Sequence, residues 1–263
     1  LLLGDLERAL RHINPHLPDT AIEQAMAIVA KPESLDTIVS NRGFHRLLLD
    51  GVPVEYKRDD EVIHDHAFLI DFTDLNANRF RAINQFTIEG SKQLRRPDII
   101  CFINGLPLAV LELKSPTAGN VDIWDAFNQI QTYKDELPEL FAYNEATVIS
   151  NGFRARIGSL TANQERFMPW RTIKHEDDKP LLDWQLETMV RGFFDRELFL
   201  DYLRYFVIFE NDSDKLIKKI AGYHQFHAVR EAVKATVIAS QDPGQFFQAQ
   251  KRARYADEVV PGS

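Results

Sequence analysis

Three charged residues stand within an otherwise apolar hairpin pattern, and this feature constrains the fold more than any other. Two apolar runs, 98–103 and 106–114, are separated by an Asn-Gly dipeptide, which is typical of tight hairpin turns. Asp98 begins the first run, and Glu112 and Lys114 end the second. Residues two apart on a strand share a face, so Glu112 and Lys114 lie on one side of the sheet. Buried charges are costly without partners, so the pattern predicts a polar site on this sheet.

The geometry of the turn decides whether Asp98 can join the other two residues. A regular two-residue turn at Asn104-Gly105 would place Asp98 on the opposite face of the sheet from Glu112. An odd-length turn or a β-bulge would bring both acids to one face. We predict a three-residue turn, Ile103-Asn104-Gly105, which sets Asp98 diagonal to Glu112 with ~7–8 Å between their backbones.

Two carboxylates and a lysine on one sheet face predict a metal-dependent hydrolytic site. Magnesium prefers oxygen ligands and keeps several waters, so Asp98 and Glu112 can hold it with water completing the shell. Such an ion activates a bound water and neutralises charge on a phosphodiester. Lys114 can position the attacking water and stabilise the charge that develops on the phosphate.

A helix predicted over Asp122–Leu137 adds a second signal, because Gln129 and Tyr133 are four residues apart and share one helical face. The chain thus carries three motifs in order: Pro-Asp98, Glu112-Leu-Lys114 and Gln129-x-x-x-Tyr133. This series resembles the PD-(D/E)xK nucleases that have a Gln-x-x-x-Tyr extension. The longer string over residues 96–114 is similar to the R (restriction and motor) subunits of type I restriction–modification enzymes.

The resemblance implies an α/β fold, in which a mixed sheet flanked by helices forms a restriction-endonuclease-like core that cleaves DNA with Mg²⁺. It implies a nuclease domain over residues 1–176, and a helical lead-in to a RecA-like motor lobe over 177–263 that ends before the Walker A loop. Gln225, in a segment (223–230) similar to the adenine-reading part of such lobes, would contact ATP in the intact protein. No Gly-x-x-x-x-Gly-Lys-[Ser/Thr] motif occurs, so this chain by itself should not hydrolyse ATP.

The resemblance also implies partners: double-stranded DNA, a methyltransferase subunit that uses S-adenosylmethionine, and a specificity subunit. Many nucleases of this type add a helical acid before the sheet, for which Glu7 and Glu23 are candidates. Arg95 and Arg96 precede the first acid and could contact DNA phosphates, although an ordinary edge charge is about as good an interpretation.

Composition limits how the chain can meet DNA. The net charge is −8, so a DNA contact has to be local, metal-assisted or supplied by other parts of the protein. The single cysteine, Cys101, excludes an intramolecular disulfide, and no apolar run reaches membrane-spanning length, so we expect a cytoplasmic protein. Since the sequence lacks an initiating Met, we also expect a piece of a longer protein.

Two alternatives remain open at this stage. One is a PD-(D/E)xK nuclease fused to a repair or recombination helicase. The other is a DNA-binding or assembly module that keeps the fold without cleaving. The intact acid, acid and lysine series argues against the second alternative.

Periodicity and turn residues predict the remaining elements. The lysines at 215, 218 and 219 predict a basic helix face, which is interpreted first as solvated and second as a phosphate contact. Helices are predicted at 3–12, 19–30, 181–194, 197–205 and 223–240, and strands at 52–56, 67–72, 80–86, 98–103, 106–114, 146–150, 154–160 and 205–209.

Overall fold

The chain consists of two compact units, Leu1–Ala221 and Gly222–Ser263. The structure is a computed structural model that describes residues 1–90, 93–115, 122–173, 178 and 184–241. The first unit contains helices α1 (Leu3–Ile13), α2 (Asp19–Ala30), α3 (Thr37–Asp50), α4 (Ile123–Glu136), α5 (Pro138–Phe141), α6 (Gln185–Thr188) and α7 (Arg196–Tyr205). Its strands are β1 (Val52–Arg58), β2 (Glu61–Ala67), β3 (Phe80–Asn84), β4 (Ile88–Glu89), β5 (Leu94–Arg95), β6 (Ile99–Ile103), β7 (Leu106–Leu113), β8 (Ala146–Ser150), β9 (Ala155–Gly158), β10 (Val207–Asp212) and β11 (Lys215–Ile220).

A five-stranded mixed sheet organises this unit, in the order β3-β6-β7-β8-β9. The central pair β7 and β8 is parallel, and the other neighbours are antiparallel. A parallel pair needs a crossover connection, which α4 and α5 provide. The α/β architecture with a mixed sheet flanked by helices is therefore confirmed. Strands β1 with β2, β4 with β5, and β10 with β11 form separate two-stranded sheets.

Helix α4 packs on one face of the sheet and forms its main core. Asp122 caps the helix by a reciprocal capping box with Asp125, so the helix starts where the sequence pattern predicts. The residues that α4 and the sheet bury together are all apolar or aromatic, which explains why this layer is stable. They include Ile100, Val110, Ile123, Ala126, Phe127, Ile130, Tyr133 and Ile149.

The β6–β7 hairpin differs from the predicted three-residue turn. Ile103 pairs with Leu106, so the turn has two residues, and Asn104 and Gly105 both take left-handed conformations with φ of 53° and 82°. The Asn104 side chain is fully buried and accepts a hydrogen bond from the Arg79 backbone at 2.7 Å, which fixes this tight turn.

A β-bulge on β7 brings Asp98 back to the same face of the sheet as Glu112. Cys101 pairs with Ala109 but Phe102 pairs with Pro107, so Leu108 is an extra residue on β7. Proline has no backbone N–H to donate, and a regular ladder is weakest at such a position. The bulge shifts the pairing by one residue and so reverses the effect of the even-length turn.

Gly105 is required by both its conformation and its surroundings, so we predict that Gly105→Ala destabilises the unit by about 2–4 kcal/mol, through left-handed strain and overpacking. A Cβ at this position would lie 2.4 Å from the Leu2 carbonyl oxygen. Urea denaturation measures the effect. Gly4→Ala in α1 is the control, since its Cβ would meet nothing closer than 3.9 Å, and equal stability of the two variants would contradict the prediction.

Other predicted elements are confirmed or corrected. The helices at 3–12, 19–30, 197–205 and 223–240 and the strands at 52–56, 80–86 and 146–150 are confirmed within a few residues. The strand predicted at 67–72 is wrong, because the strand that pairs with β1 lies earlier, at β2. The basic helix face is also wrong, because its lysines lie on strand β11. The sequence interpretation missed α3 entirely, and residues 181–183 of one predicted helix lie outside the described residues.

The first unit extends to Ala221, and the boundary of the nuclease domain at residue 176 stays a prediction. In the second unit the described part is helix α8 (Tyr223–Gln241), which begins at the segment predicted to read adenine. The lead-in to a motor lobe stays a prediction. Among the described residues, no helix has both the length and the apolar character that crossing a membrane requires.

Candidate active site

Asp98, just before strand β6, and Glu112, on the neighbouring strand β7, lie on the far side of the bulge from the hairpin turn. Ile99 pairs with Leu111, and the same pairing continued by one residue puts Asp98 directly opposite Glu112 rather than diagonal to it. The Asp98 Oδ2 atom accepts a hydrogen bond from the Leu113 backbone N–H at 2.8 Å, which attaches this side chain to the end of β7. The two predicted acids therefore share one face, as the metal-site hypothesis requires.

Lys114 completes the cluster. Its Nζ atom donates a hydrogen bond to Glu112 Oε1 at 2.8 Å, and its backbone N–H donates to the Ser150 carbonyl at 2.8 Å. Glu112 is 4% exposed, and its second oxygen, Oε2, makes no hydrogen bond within the described part of the chain. Burial raises the pKa of Glu112, the hydrogen bond from Lys114 lowers it, the charge of Asp98 raises it again, and the net shift is upward.

Gln129 and Tyr133 reach the same place from helix α4. Tyr133 is 5% exposed, and its pKa is raised to about 12, first by burial and next by the negative charge of Glu112, while a hydrogen bond with Gln129 acts in the opposite direction. Its hydroxyl also donates a long hydrogen bond, 3.5 Å, to the Arg96 carbonyl. The structure thus brings Tyr133 beside Glu112, and Gln129 contacts Tyr133 on the same face of the helix.

The other residues predicted for the site do not contact Asp98, Glu112 or Lys114 in the hydrogen bonds and ion pairs of the described residues. Arg95 forms an ion pair with Glu136 at the end of α4, so this side chain joins β5 to the helix. Arg96 is exposed and contributes its carbonyl to the Tyr133 contact. Gln225 accepts a hydrogen bond from the Gly222 backbone at 3.0 Å. Neither candidate helical acid is shown at the cluster: Glu7 pairs with Arg11, and Glu23 is exposed on α2.

Sequence reasoning missed Gln85. Its side-chain Nε2 donates to Asp98 Oδ1 at 2.8 Å, and its backbone N–H donates to the Asp98 carbonyl at 2.9 Å. Gln85 has a φ of 51°, a conformation that non-glycine residues rarely adopt, so strand β3 ends there with its amide held against the acid. The one signal that could have found it is strand register, since Asn84 pairs with Ile99.

The residues at this cluster fit a magnesium ion. Two carboxylates lie side by side, one buried carboxylate oxygen lacks a hydrogen-bond partner, and Asp98 keeps free lone pairs on both oxygens after its two hydrogen bonds. No group of three or more His, Cys, Asp or Glu side chains suited to a metal occurs within the described ranges. Magnesium does not need a third protein ligand of this kind, because it retains waters in sites with one or two carboxylates.

Because the pKa of Glu112 is raised in the folded state, its ionised carboxylate lowers the free energy of unfolding near neutral pH. The folded state binds the proton more readily than the unfolded state, so this loss of stability disappears as the pH falls. We predict that Glu112→Gln raises the midpoint of thermal unfolding at pH 8 in metal-free buffer, and that the gain shrinks as the pH falls into the ordinary carboxyl range. Glu55→Gln, an exposed acid on β1, is the control, and a lower midpoint for Glu112→Gln would contradict the prediction.

A mixed sheet whose central hairpin presents two acids and a lysine beside a Gln-x-x-x-Tyr helix is consistent with a nuclease-like α/β core. Comparison with known families supports a narrower assignment. Residues 1–166 match the family model for the N terminus of the type I restriction enzyme R protein, and the chain belongs to this family.

Two similar proteins agree with this assignment. The chain is 45% identical over 248 residues to the type I restriction enzyme HindI endonuclease subunit of Haemophilus influenzae, covering 93% of this chain and 24% of that protein. It is 31% identical over 249 residues to a putative type I restriction enzyme MjaIXP endonuclease subunit of Methanocaldococcus jannaschii, covering 88% of this chain and 23% of the relative. The chain therefore spans about a quarter of the length of these relatives.

Proposed function

We propose that this chain is the nuclease part of a type I restriction enzyme R subunit, and that it cleaves DNA phosphodiesters with Mg²⁺. The observation that carries the proposal is the cluster itself: Asp98 opposite Glu112, with Lys114 in hydrogen-bond contact with the second acid. Relatives that share the sequence over most of this chain are named endonuclease subunits, which supports a nuclease rather than a non-cleaving module.

Each residue of the cluster has a proposed role. Asp98 and Glu112 hold the metal, and Leu113 and Gln85 keep the Asp98 carboxylate oriented by hydrogen bonds to its two oxygens. When bound, the ion supplies an activated water and neutralises charge on the phosphate. Lys114 orients the attacking water and places a positive charge beside the phosphate oxygens.

The helical pair supports these groups. Tyr133 is buried beside Glu112, and its raised pKa keeps it a protonated hydrogen-bond donor over the working pH range of a cell. Gln129, half-buried beside it, can bond either the hydroxyl or a DNA backbone oxygen. Arg96 is the better placed of the two predicted arginines for a phosphate, because it is exposed whereas Arg95 is paired with Glu136.

The wider activity belongs to the longer protein. We propose that the R subunit is an ATP-driven DNA translocase in the cytoplasm, with Gln225 contacting the adenine and with residues 177–263 leading into its motor lobe. We also propose that it acts with a methyltransferase subunit that uses S-adenosylmethionine and with a specificity subunit. The family and the fourfold greater length of the relatives support a multidomain protein of this kind.

The decisive experiment is DNA cleavage by the complete enzyme in which Lys114 is replaced by alanine, with ATP hydrolysis recorded in the same samples. The proposal expects cleavage to be lost and ATP hydrolysis to continue. Continued cleavage together with continued ATP hydrolysis would overturn the assignment of this cluster as the nuclease site.

A further inference from the structure

Two large aromatic side chains stand exposed together on the first unit. Phe153 is 55% exposed and Trp184 is 53% exposed. Their ring centroids are 6.2 Å apart and the rings meet edge to face at 79°. About half of the surface of each side chain is exposed to solvent. Contiguous exposed apolar groups of this kind mark binding surfaces.

The turn that carries Phe153 is held in place by its own hydrogen bonds. Arg154 N–H donates to Asn151 Oδ1 at 2.8 Å, and the Ser150 hydroxyl donates to the Arg154 carbonyl at 2.8 Å. The segment that carries the tryptophan is fastened to the same turn, because Gln185 N–H donates to the Phe153 carbonyl at 3.1 Å. The two rings are therefore presented by a fixed framework, which lowers the entropy lost when a ligand binds.

This framework lies beside the nuclease cluster. Strands β7 and β8 run parallel, so their carboxyl ends lie at the same edge of the sheet, where Leu113 pairs with Ser150 and Lys114 bonds the Ser150 carbonyl. Phe153 follows Ser150 by three residues, a backbone reach of at most ~11 Å.

The charge around the rings suits a nucleic acid. Arg154, next to Phe153, is exposed, and no carboxylate pairs with its side chain among the residues that the structure describes. A basic group beside an aromatic ring is the combination that binds single-stranded nucleic acid, in which the cation contacts the phosphate and the ring stacks on the base. It also supplies locally the positive charge that the chain as a whole, at −8, lacks.

We propose that Phe153 and Trp184 form a stacking site for an unpaired base of the DNA strand being cleaved, with Arg154 on the adjacent phosphate. The proposal rests on the proposed nuclease function and deepens it, because it specifies that the strand is locally unpaired beside the cluster. The site holds the strand so that a phosphate a few nucleotides away reaches Asp98 and Glu112.

Photo-cross-linking tests the contact directly. The full-length R subunit is mixed with a 12-nucleotide single-stranded DNA that contains bromodeoxyuridine, without magnesium, and irradiated, and the cross-linked peptide is identified by mass spectrometry. We expect the cross-link at Trp184 or Phe153. Phe153→Ala/Trp184→Ala should lower its yield about tenfold or more, and Trp184→Phe should retain most of it, because any aromatic ring can stack.

Cleavage by the complete enzyme provides the functional readout. The double variant Phe153→Ala/Trp184→Ala should cut DNA about tenfold more slowly while ATP hydrolysis and the unfolding midpoint stay unchanged. Tyr205→Ala is the matched control, since Tyr205 is 62% exposed on α7 and should have no effect.

The outcomes separate this proposal from the nuclease assignment. Absence of any cross-link at the two rings, or wild-type cleavage by the double variant, overturns the stacking site even if Lys114→Ala abolishes cleavage. A cross-link at the rings together with continued cleavage by Lys114→Ala upholds the DNA contact and overturns the nuclease assignment instead.

Discussion

Replacing Lys114 with alanine should lower the rate of DNA cleavage by the complete enzyme about 100- to 1000-fold, the range found when one preorganised group that stabilises transition-state charge is removed. The physical reason is the position of the ammonium group, which lies 2.8 Å from Glu112 Oε1 at the end of the central hairpin. No other described lysine contacts this carboxylate, so nothing adjacent can take over the role. Timed cleavage of plasmid DNA, with ATP hydrolysis measured in parallel, gives the result.

Two comparisons make this result specific. Lys57→Ala removes an exposed lysine on β1, far from the hairpin in sequence, and should leave cleavage unchanged. The unfolding midpoint of Lys114→Ala should fall, because the substitution leaves the buried Glu112 carboxylate without its ammonium partner, so continued ATP hydrolysis is the measure that the protein is still folded. Loss of both cleavage and ATP hydrolysis would indicate a damaged protein, and retained cleavage would remove Lys114 from the chemistry.

The clustering of Asp98, Glu112 and Lys114 could be predicted from sequence, because charged residues at fixed spacing on an apolar strand have few interpretations. The register of the hairpin was harder. Asn104-Gly105 favours a two-residue turn, and the requirement that Asp98 meet Glu112 favours an odd count, so local and global signals conflict. The chain resolves the conflict with a bulge at Leu108, several residues from the turn, where no sequence rule would have placed it uniquely.

Gln85 and the aromatic pair illustrate a different limit. Gln85 contacts Asp98 only because β3 pairs with β6, although β4 and β5 lie between these two strands in the sequence. Phe153 and Trp184 are separated by 31 positions and are brought together through the Gln185 hydrogen bond. A single sequence carries the identity of such residues and not their proximity, which depends on strand order and loop packing.

Lys218 was the most misleading residue. With Lys215 and Lys219 it was interpreted as a solvated basic face, yet it lies on β11 with its side chain fully buried. Successive side chains on a strand point to opposite faces, which explains why Lys218 is buried while its neighbour is not. Lys219 points to the other face, where it pairs with the partly exposed Glu210.

The buried Lys218 ammonium group has a complete set of partners. Its three donors reach Glu145 Oε2 at 2.7 Å, Asn41 Oδ1 at 2.9 Å and the Asn144 carbonyl at 2.9 Å. His45 Nδ1 lies 3.1 Å from the same Glu145 oxygen. Burial raises the pKa of Glu145, but the charges of Lys218 and His45 outweigh it, and the net shift is downward. The network therefore joins hairpin β10–β11 to α3 and to the start of β8.

Replacing Lys218 with methionine should destabilise the unit by about 3–5 kcal/mol, because it leaves the Glu145 charge buried and without its main partner. Methionine preserves the length of the side chain, so the loss measures the charge and its hydrogen bonds rather than a cavity. Urea denaturation at pH 7 gives the effect. At that pH the depressed pKa of Glu145 keeps its stabilising contribution present, and the contribution is lost only as the pH falls below the ordinary carboxyl range.

Lys219→Met is the matched control one residue away: its partner Glu210 is about half exposed, so the loss should stay below ~1 kcal/mol. The double variant Lys218→Met/Glu145→Gln should recover a large part of the stability, because the unpaired buried charge is gone. If Lys218→Met and Lys219→Met lose equal stability, the buried network does not hold hairpin β10–β11 against the sheet. If the single variant is unstable but the double variant recovers nothing, the amide and carbonyl contacts of the ammonium group, rather than the ion pair, hold it there.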